Sequence, residues 1–185
     1  VNGAGLSTFI LFFGIQGVAS HAFAVWSPSI MIDYGFSALT SAIVCAILTI
    51  AGAFLASKLL SQQLSQAALL MCFKIASWLL LVGFIQLLSK QVQIFSLGLF
   101  LVFCSQGVIF LISLISISRW SNDVSQVLAA SSKIQGWGYT ITGFGPICVG
   151  LIRQSQGSWE ACIYFLIFCT LALSITGLKT LRSES

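Results

Sequence analysis

The composition of this 185-residue chain excludes a soluble globular fold. Hydrophobic residues make up 58% of it and charged residues 6%, with a mean hydropathy of +1.04, whereas soluble domains carry about 25% charged residues. Long apolar runs recur from end to end, which is typical of helices that span a bilayer. The net charge of +4 comes from basic residues scattered singly between those runs, so no basic surface for nucleic acid is expected.

Charged residues, prolines, glycines and serines interrupt the apolar runs and divide the chain into six predicted spans. Their approximate limits are residues 6–26, 38–60, 67–88, 94–118, 133–152 and 159–178. Each is about as long as a helix needs to cross the hydrocarbon core. The predicted fold class is therefore an all-α integral membrane protein, with residues 1–185 forming one six-helix transmembrane domain.

The distribution of basic residues predicts that both termini lie in the cytoplasm. With that orientation five basic residues fall on the inner side and two on the outer side, in agreement with the positive-inside rule. The inner residues are Lys58, Arg119, Lys133, Lys179 and Arg182, and the outer residues are Lys90 and Arg153.

Two short internal matches predict a three-plus-three inverted repeat. Phe-Gly-Ile-Gln-Gly at 13–17 matches Phe-Cys-Ser-Gln-Gly at 103–107, and Thr-Ile-Ala-Gly at 49–52 matches Thr-Ile-Thr-Gly at 140–143. Three spans separate the two copies of each match, so the copies run through the membrane in opposite directions. Many secondary transporters are built from such inverted repeats and bind solute near the bilayer midplane.

Several motifs carry a resemblance to a known family. They are Gly14-Ile15-Gln16, Ala24-Val25-Trp26-Ser27-Pro28, Gly35-Phe36-Ser37, Gln135-Gly136-Trp137-Gly138-Tyr139, Gly145-Pro146, Gly150 and Gly157-Ser158-Trp159. With these the chain resembles the cyanate and nitroimidazole transporter branch of the major facilitator superfamily. The resemblance covers nearly the whole chain but only the last six of that family's twelve helices.

The resemblance implies a secondary transporter in the bacterial inner membrane that moves a small polar or anionic solute, cyanate-like or related, by alternating access. It also implies that this chain, which does not begin with Met, is the C-terminal half and that an N-terminal transmembrane half is missing. Three positions depart from the family pattern. Ser27 replaces a usual Leu, and Lys133 replaces an apolar residue. In the loop after span two, Ser57 stands at the acidic position of the superfamily's G-x-x-x-D-R signature.

Five polar residues inside the spans are predicted to bind substrate. Polar groups in hydrocarbon are costly unless they are bonded or hydrated. Gln16 and Gln106 lie near the centres of spans one and four, which by resemblance line the central cavity. His21 lies about 7 to 8 Å further along span one, and histidine changes charge near neutral pH. Gln135 and Tyr139 share one stripe of span five. For each, hydrogen bonding across a helix interface remains the alternative interpretation.

Two other classes of protein also have six membrane helices. A substrate-binding S component of an energy-coupling-factor importer remains the alternative function. A rhomboid-type protease would need a Gly-x-Ser nucleophile and a neighbouring His, and no Gly-x-Ser occurs at mid-span. We therefore predict no enzyme activity, no catalytic residue and no cofactor. The six cysteines have no C-x-x-C spacing, so no metal site is predicted either. The expected partners are the lipid bilayer, a small-molecule substrate and the missing half.

Overall fold

The structure is a computed structural model that describes residues 3–62 and 64–182. These residues form six α-helices joined by short connections, which confirms the all-helical prediction. The helices are α1 (Gly3–Asp33), α2 (Ala38–Leu60), α3 (Gln66–Gln86), α4 (Val92–Ser118), α5 (Val124–Gln156) and α6 (Trp159–Arg182).

Five of the six helices in the described chain are long and apolar enough to cross a membrane. The exception is α5, which contains the predicted span 133–152. It is the most polar of the six helices and carries Lys133 and Arg153 together with several glutamines and serines. α5 packs chiefly on α1, and much of its remaining surface is exposed in this chain.

α1 continues seven residues beyond its predicted end at Trp26, through Pro28 to Asp33. A proline inside a helix removes one N–H donor, which leaves the carbonyl four residues earlier without its helical partner. Here that carbonyl belongs to Ala24, and the Ser27 hydroxyl donates to it at 3.5 Å. Neighbouring hydroxyls of this kind allow prolines inside membrane helices.

α5 begins nine residues before its predicted start at Lys133, because an N-cap decides where the helix starts. Asp123 Oδ1 accepts hydrogen bonds of 2.8 Å from both the backbone N–H and the hydroxyl of Ser125. The Ser125 hydroxyl, followed by its N–H, holds the pKa of Asp123 below its usual value. The helix ends at Gly157, whose φ of +67° is the left-handed conformation of many helix ends.

Two pairs of helices cross at unusually short range. Gly17 of α1 lies directly against Thr142 of α5, leaving no room for a Cβ atom. In the same way, a Cβ atom on Gly107 of α4 would lie 2.7 Å from the carbonyl oxygen of Gly52 in α2. Small residues let membrane helices approach closely. The pairing pattern is thus α1 with α5 and α4 with α2, while α6 also packs on α1 and α3 also packs on α4.

An ionic cluster joins the ends of three helices. The Arg153 guanidinium donates to Asp33 Oδ2 at 2.6 Å, and the Trp159 indole N–H donates to the same oxygen at 2.8 Å. The guanidinium also lies 4.9 Å from the centre of the Trp159 ring. Asp33 is the last residue of α1, so the cluster fixes that end against α5 and α6.

Candidate functional site

An open cleft of about 320 Å³ lies between α1, α2, α4 and α5. It contains four of the five residues predicted to bind substrate: Gln16, His21, Gln106 and Tyr139. The two glutamines are 90 residues apart in the chain and reach the same cleft from α1 and α4. The fold therefore collects polar groups that the sequence scatters over three helices.

Gln16 is almost fully buried, with 3% of its surface exposed. Its side-chain N–H donates to the hydroxyl of Ser20, one turn further along α1, at 3.2 Å. That hydroxyl in turn donates to the Gly17 carbonyl at 3.3 Å. Because both bonds remain within α1, the Gln16 amide is oriented by its own helix and does not join two helices.

Gln106 is bonded differently. Its side-chain N–H donates across the helix interface to the Ala19 carbonyl of α1 at 3.4 Å. Ala19 lies three residues after Gln16, about 4.5 Å along the helix axis. The two amides therefore sit at neighbouring levels of one cleft. The hydrogen bond is long, so it contributes little to holding α4 against α1.

His21 and Tyr139 form the exposed wall of the cleft. His21 Nδ1 lies 3.2 Å from the Gly17 carbonyl oxygen and 3.3 Å from the Ser20 hydroxyl. The His21 ring contacts the Tyr139 ring edge-on at 6.4 Å between centres, and Tyr139 is 45% exposed.

Gln135 does not line the cleft with the other four residues. Its side-chain N–H donates to the Ser131 hydroxyl within α5 at 2.7 Å. The stripe it shares with Tyr139 runs onto α1 at its other end, where Thr142 is buried beneath Gly17 and Trp26 Nε1 donates to the Pro146 carbonyl at 2.9 Å. Of the residues in this stripe, only Tyr139 lines the cleft.

Two polar residues of the cleft, Ser20 and Thr49, were not predicted from the sequence. A signal existed for each. Ser20 lies four residues after Gln16 and therefore on the same helix face, and Thr49 begins one of the internal sequence matches. The Thr49 hydroxyl donates to the Cys45 carbonyl at 2.8 Å, so it presents mainly an acceptor to the cleft.

The cleft combines apolar walls with a few polar groups. Phe103 and Phe110 of α4 supply aromatic surface beside the amides, hydroxyls and imidazole. Sites for small molecules have this mixture, in which polar groups fix orientation and apolar walls exclude water. Across residues 3–62 and 64–182, no group of three or more His, Cys, Asp or Glu side chains could hold a metal ion.

The chain is similar to two curated bacterial proteins that are named as transporters. It is 24% identical over 174 residues to the uncharacterized transporter YycB of Bacillus subtilis, which covers 90% of this chain and 42% of that protein. It is also 24% identical over 182 residues to the 2-nitroimidazole transporter of Escherichia coli, covering 94% of this chain and 44% of that protein.

No family model and no solved structure matches the chain. The chain spans less than half the length of the curated relatives it matches. Together with the five apolar helices, the similarity identifies a multi-pass membrane protein related to transporters.

Proposed function

We propose that this chain forms six helices of a secondary active transporter, and that the cleft between α1, α2, α4 and α5 is its half of the solute pathway. The proposed solute is small and polar or anionic, as the name of the 2-nitroimidazole transporter and the resemblance to the cyanate branch suggest. In this proposal the rest of the transporter, another transmembrane half, covers the open side of the cleft. Rocking of the two halves gives alternating access.

The observation that carries this proposal is the convergence of Gln16 and Gln106, from two separate helices, on one open cleft. Polar side chains inside membrane helices usually face a cavity or a partner, and they mark solute pathways. Gln16 is held only by its own helix, so a role in joining helices does not explain it. His21 and Tyr139 add a nitrogen and a hydroxyl at the mouth of the same cleft.

The proposal includes the inverted repeat. In support of it, Gly17 and Gly107 occupy equivalent positions in the two matched segments, and each sits at a close helix crossing, with α5 and with α2. An inverted repeat that exchanges α1 with α4 and α2 with α5 converts one of these crossings into the other.

We place both termini on the cytoplasmic side of a bacterial inner membrane, because this puts most basic residues inside. Reporter fusions after Ser89 and after Gly157 test the placement. Both are expected to report the outer side. A cytoplasmic signal from either would contradict the orientation.

The function itself is tested by uptake in cells that express the complete natural protein. Labelled 2-nitroimidazole and cyanate are the first solutes to measure. Gln16→Leu should reduce uptake of the transported solute, whereas Gln135→Leu, which removes an amide outside the cleft, should not. Equal uptake by the two variants would contradict the assignment of the cleft as the solute pathway.

A further inference from the structure

A second cavity of about 500 Å³ lies between α3 and α6. Its walls are formed by Phe73, Lys74, Ser77, Trp78 and Leu81 of α3 and by Leu171, Ser174 and Leu178 of α6. We call it the α3/α6 groove. Neither α3 nor α6 contributes a residue to the cleft, so the groove is on a different face of the bundle. If the second half covers the cleft, as proposed above, the groove faces lipid.

Lys74 is an unusual residue for such a groove. It lies eight residues after the start of α3, which is about 12 Å along the helix, inside a segment apolar enough to span the membrane. In the part of the chain that the structure describes, the Lys74 ammonium has no acidic partner, since the one ion pair there joins Arg153 to Asp33. A cation at this depth needs either a counter-ion or a path to the interface.

The direction of that path is set by how α3 and α6 pair. The Gln66 side chain at the start of α3 donates to the Leu181 carbonyl at the end of α6 at 2.9 Å, so the two helices are antiparallel. Arg182 lies four residues after Leu178, one turn beyond the groove on the same face of α6. Both basic residues therefore belong to the same end of the groove.

The other end of the groove is apolar. Trp78 is one turn further along α3 than Lys74 and is 68% exposed, and Leu171 on the facing helix is 46% exposed. Between the two ends, the Ser77 hydroxyl is buried and has no hydrogen-bond partner in the described chain. That oxygen has almost no accessible surface, so it adds no polar contact to the groove.

We propose that the α3/α6 groove binds an anionic phospholipid. The phosphodiester pairs with the Lys74 ammonium at the basic end, and one acyl chain lies along Trp78, Leu81 and Leu171. The charge on Lys74 matches the phosphate, and the apolar length beyond it matches the chain. A long lysine side chain that snorkels toward the headgroups brings the two charges together.

Native mass spectrometry of the complete natural protein, stripped of lipid in detergent, tests this proposal. Dioleoyl phosphatidylglycerol and dioleoyl phosphatidylcholine are titrated separately. A basic residue beside anionic lipid contributes about 1 kcal/mol, which corresponds to about five-fold in affinity. Lys74→Gln is therefore expected to weaken phosphatidylglycerol binding about five-fold and to leave phosphatidylcholine binding unchanged, whereas Lys74→Arg should retain the preference.

Lys90→Gln is the matched control, because Lys90 is an exposed lysine at the opposite end of α3 and its removal lowers the net charge equally. It should bind both lipids as the wild type does. An equal effect of the two glutamine variants, or equal weakening for both lipids, would overturn the proposal.

Ser174→Phe gives an independent test, since it fills the groove without removing charge. It should reduce phosphatidylglycerol binding in protein that elutes as folded material in gel filtration, and wild-type binding would overturn the proposal. Lipid binding is measured without any transported solute. If the groove does not bind phosphatidylglycerol, the assignment of the cleft as the solute pathway is unaffected. If Gln16→Leu does not reduce uptake, the proposed lipid site is likewise unaffected.

Discussion

Replacing the two cleft glutamines by leucine separates a solute-binding role from a structural one. Gln16→Leu removes a 3.2 Å hydrogen bond that lies within α1, and Ser20 keeps its bond to the Gly17 carbonyl. Gln106→Leu removes a 3.4 Å bond between α4 and α1. Hydrogen bonds between membrane helices contribute about 0.6 kcal/mol on average. Removing a buried amide from apolar surroundings offsets a loss of that size.

Both variants should therefore fold nearly as well as the wild type. A hydrogen bond lost to a bound solute has a larger effect on transport, because a neutral hydrogen bond contributes about 0.5–1.5 kcal/mol, and 1.4 kcal/mol is about ten-fold in affinity. We expect the apparent affinity for the transported solute to fall roughly three- to ten-fold in each variant, within that same range.

The assay is initial uptake rate against solute concentration, divided by the amount of folded protein from fluorescence-detected gel filtration. Gln135→Leu is the control, since its amide bonds only to Ser131 within α5. Unchanged uptake per folded molecule together with a clear loss of folded protein in the Gln16 and Gln106 variants would refute the reasoning. It would mean that these amides stabilise the bundle instead of contacting solute.

Two further predictions concern the packing and capping of α5. Gly17→Ala should lower the stability of the α1–α5 crossing by about 1–3 kcal/mol, the usual range for overpacking, because the new methyl group meets Thr142. Gly5→Ala in the same helix, where the nearest atom belongs to Trp120 at 3.9 Å, should be neutral or stabilising in thermal unfolding, and equal melting temperatures for the two variants would contradict the packing. The N-cap of α5 should weaken in acid: the lowered pKa of Asp123 means that its contribution is present above its unfolded pKa and is lost as the pH falls through its folded pKa. The protection factor of the Ser125 amide, which compares its exchange rate with the intrinsic rate at the same pH, should then fall below about pH 4, near the ordinary aspartate pKa, and a protection factor unchanged from neutral pH to about pH 2 would contradict the cap.

Local sequence signals predict some helix ends correctly and miss others. α2 begins at Ala38 as predicted, because Ser37 provides a local N-cap whose side chain accepts from the Thr40 N–H. α1 and α5 extend well past their predicted limits. Pro28 is accommodated inside α1 because the Ser27 hydroxyl donates to the Ala24 carbonyl, and Lys133 lies inside α5 at an exposed position.

The candidate site was also predicted only in part from the sequence. Amides in the middle of apolar runs are visible in the sequence, because polar residues inside membrane helices are rare and often functional, and Gln16 and Gln106 were predicted on that basis. Gln135 gives the same signal and yet lies outside the cleft. The stripe it shares with Tyr139 is regular along α5, yet of these two residues only Tyr139 lines the cleft.

The sequence by itself determined the helical membrane class and most of the helix positions, since these depend on composition and on residues close together in the chain. Tertiary structure decided which polar residues meet. Gln106 reaches Ala19 across 87 positions of sequence, and Lys74 shares the α3/α6 groove with Leu171, Ser174 and Leu178 of α6. Such encounters depend on which helices pack against each other, and the period of a single helix fixes only which of its own residues share a face.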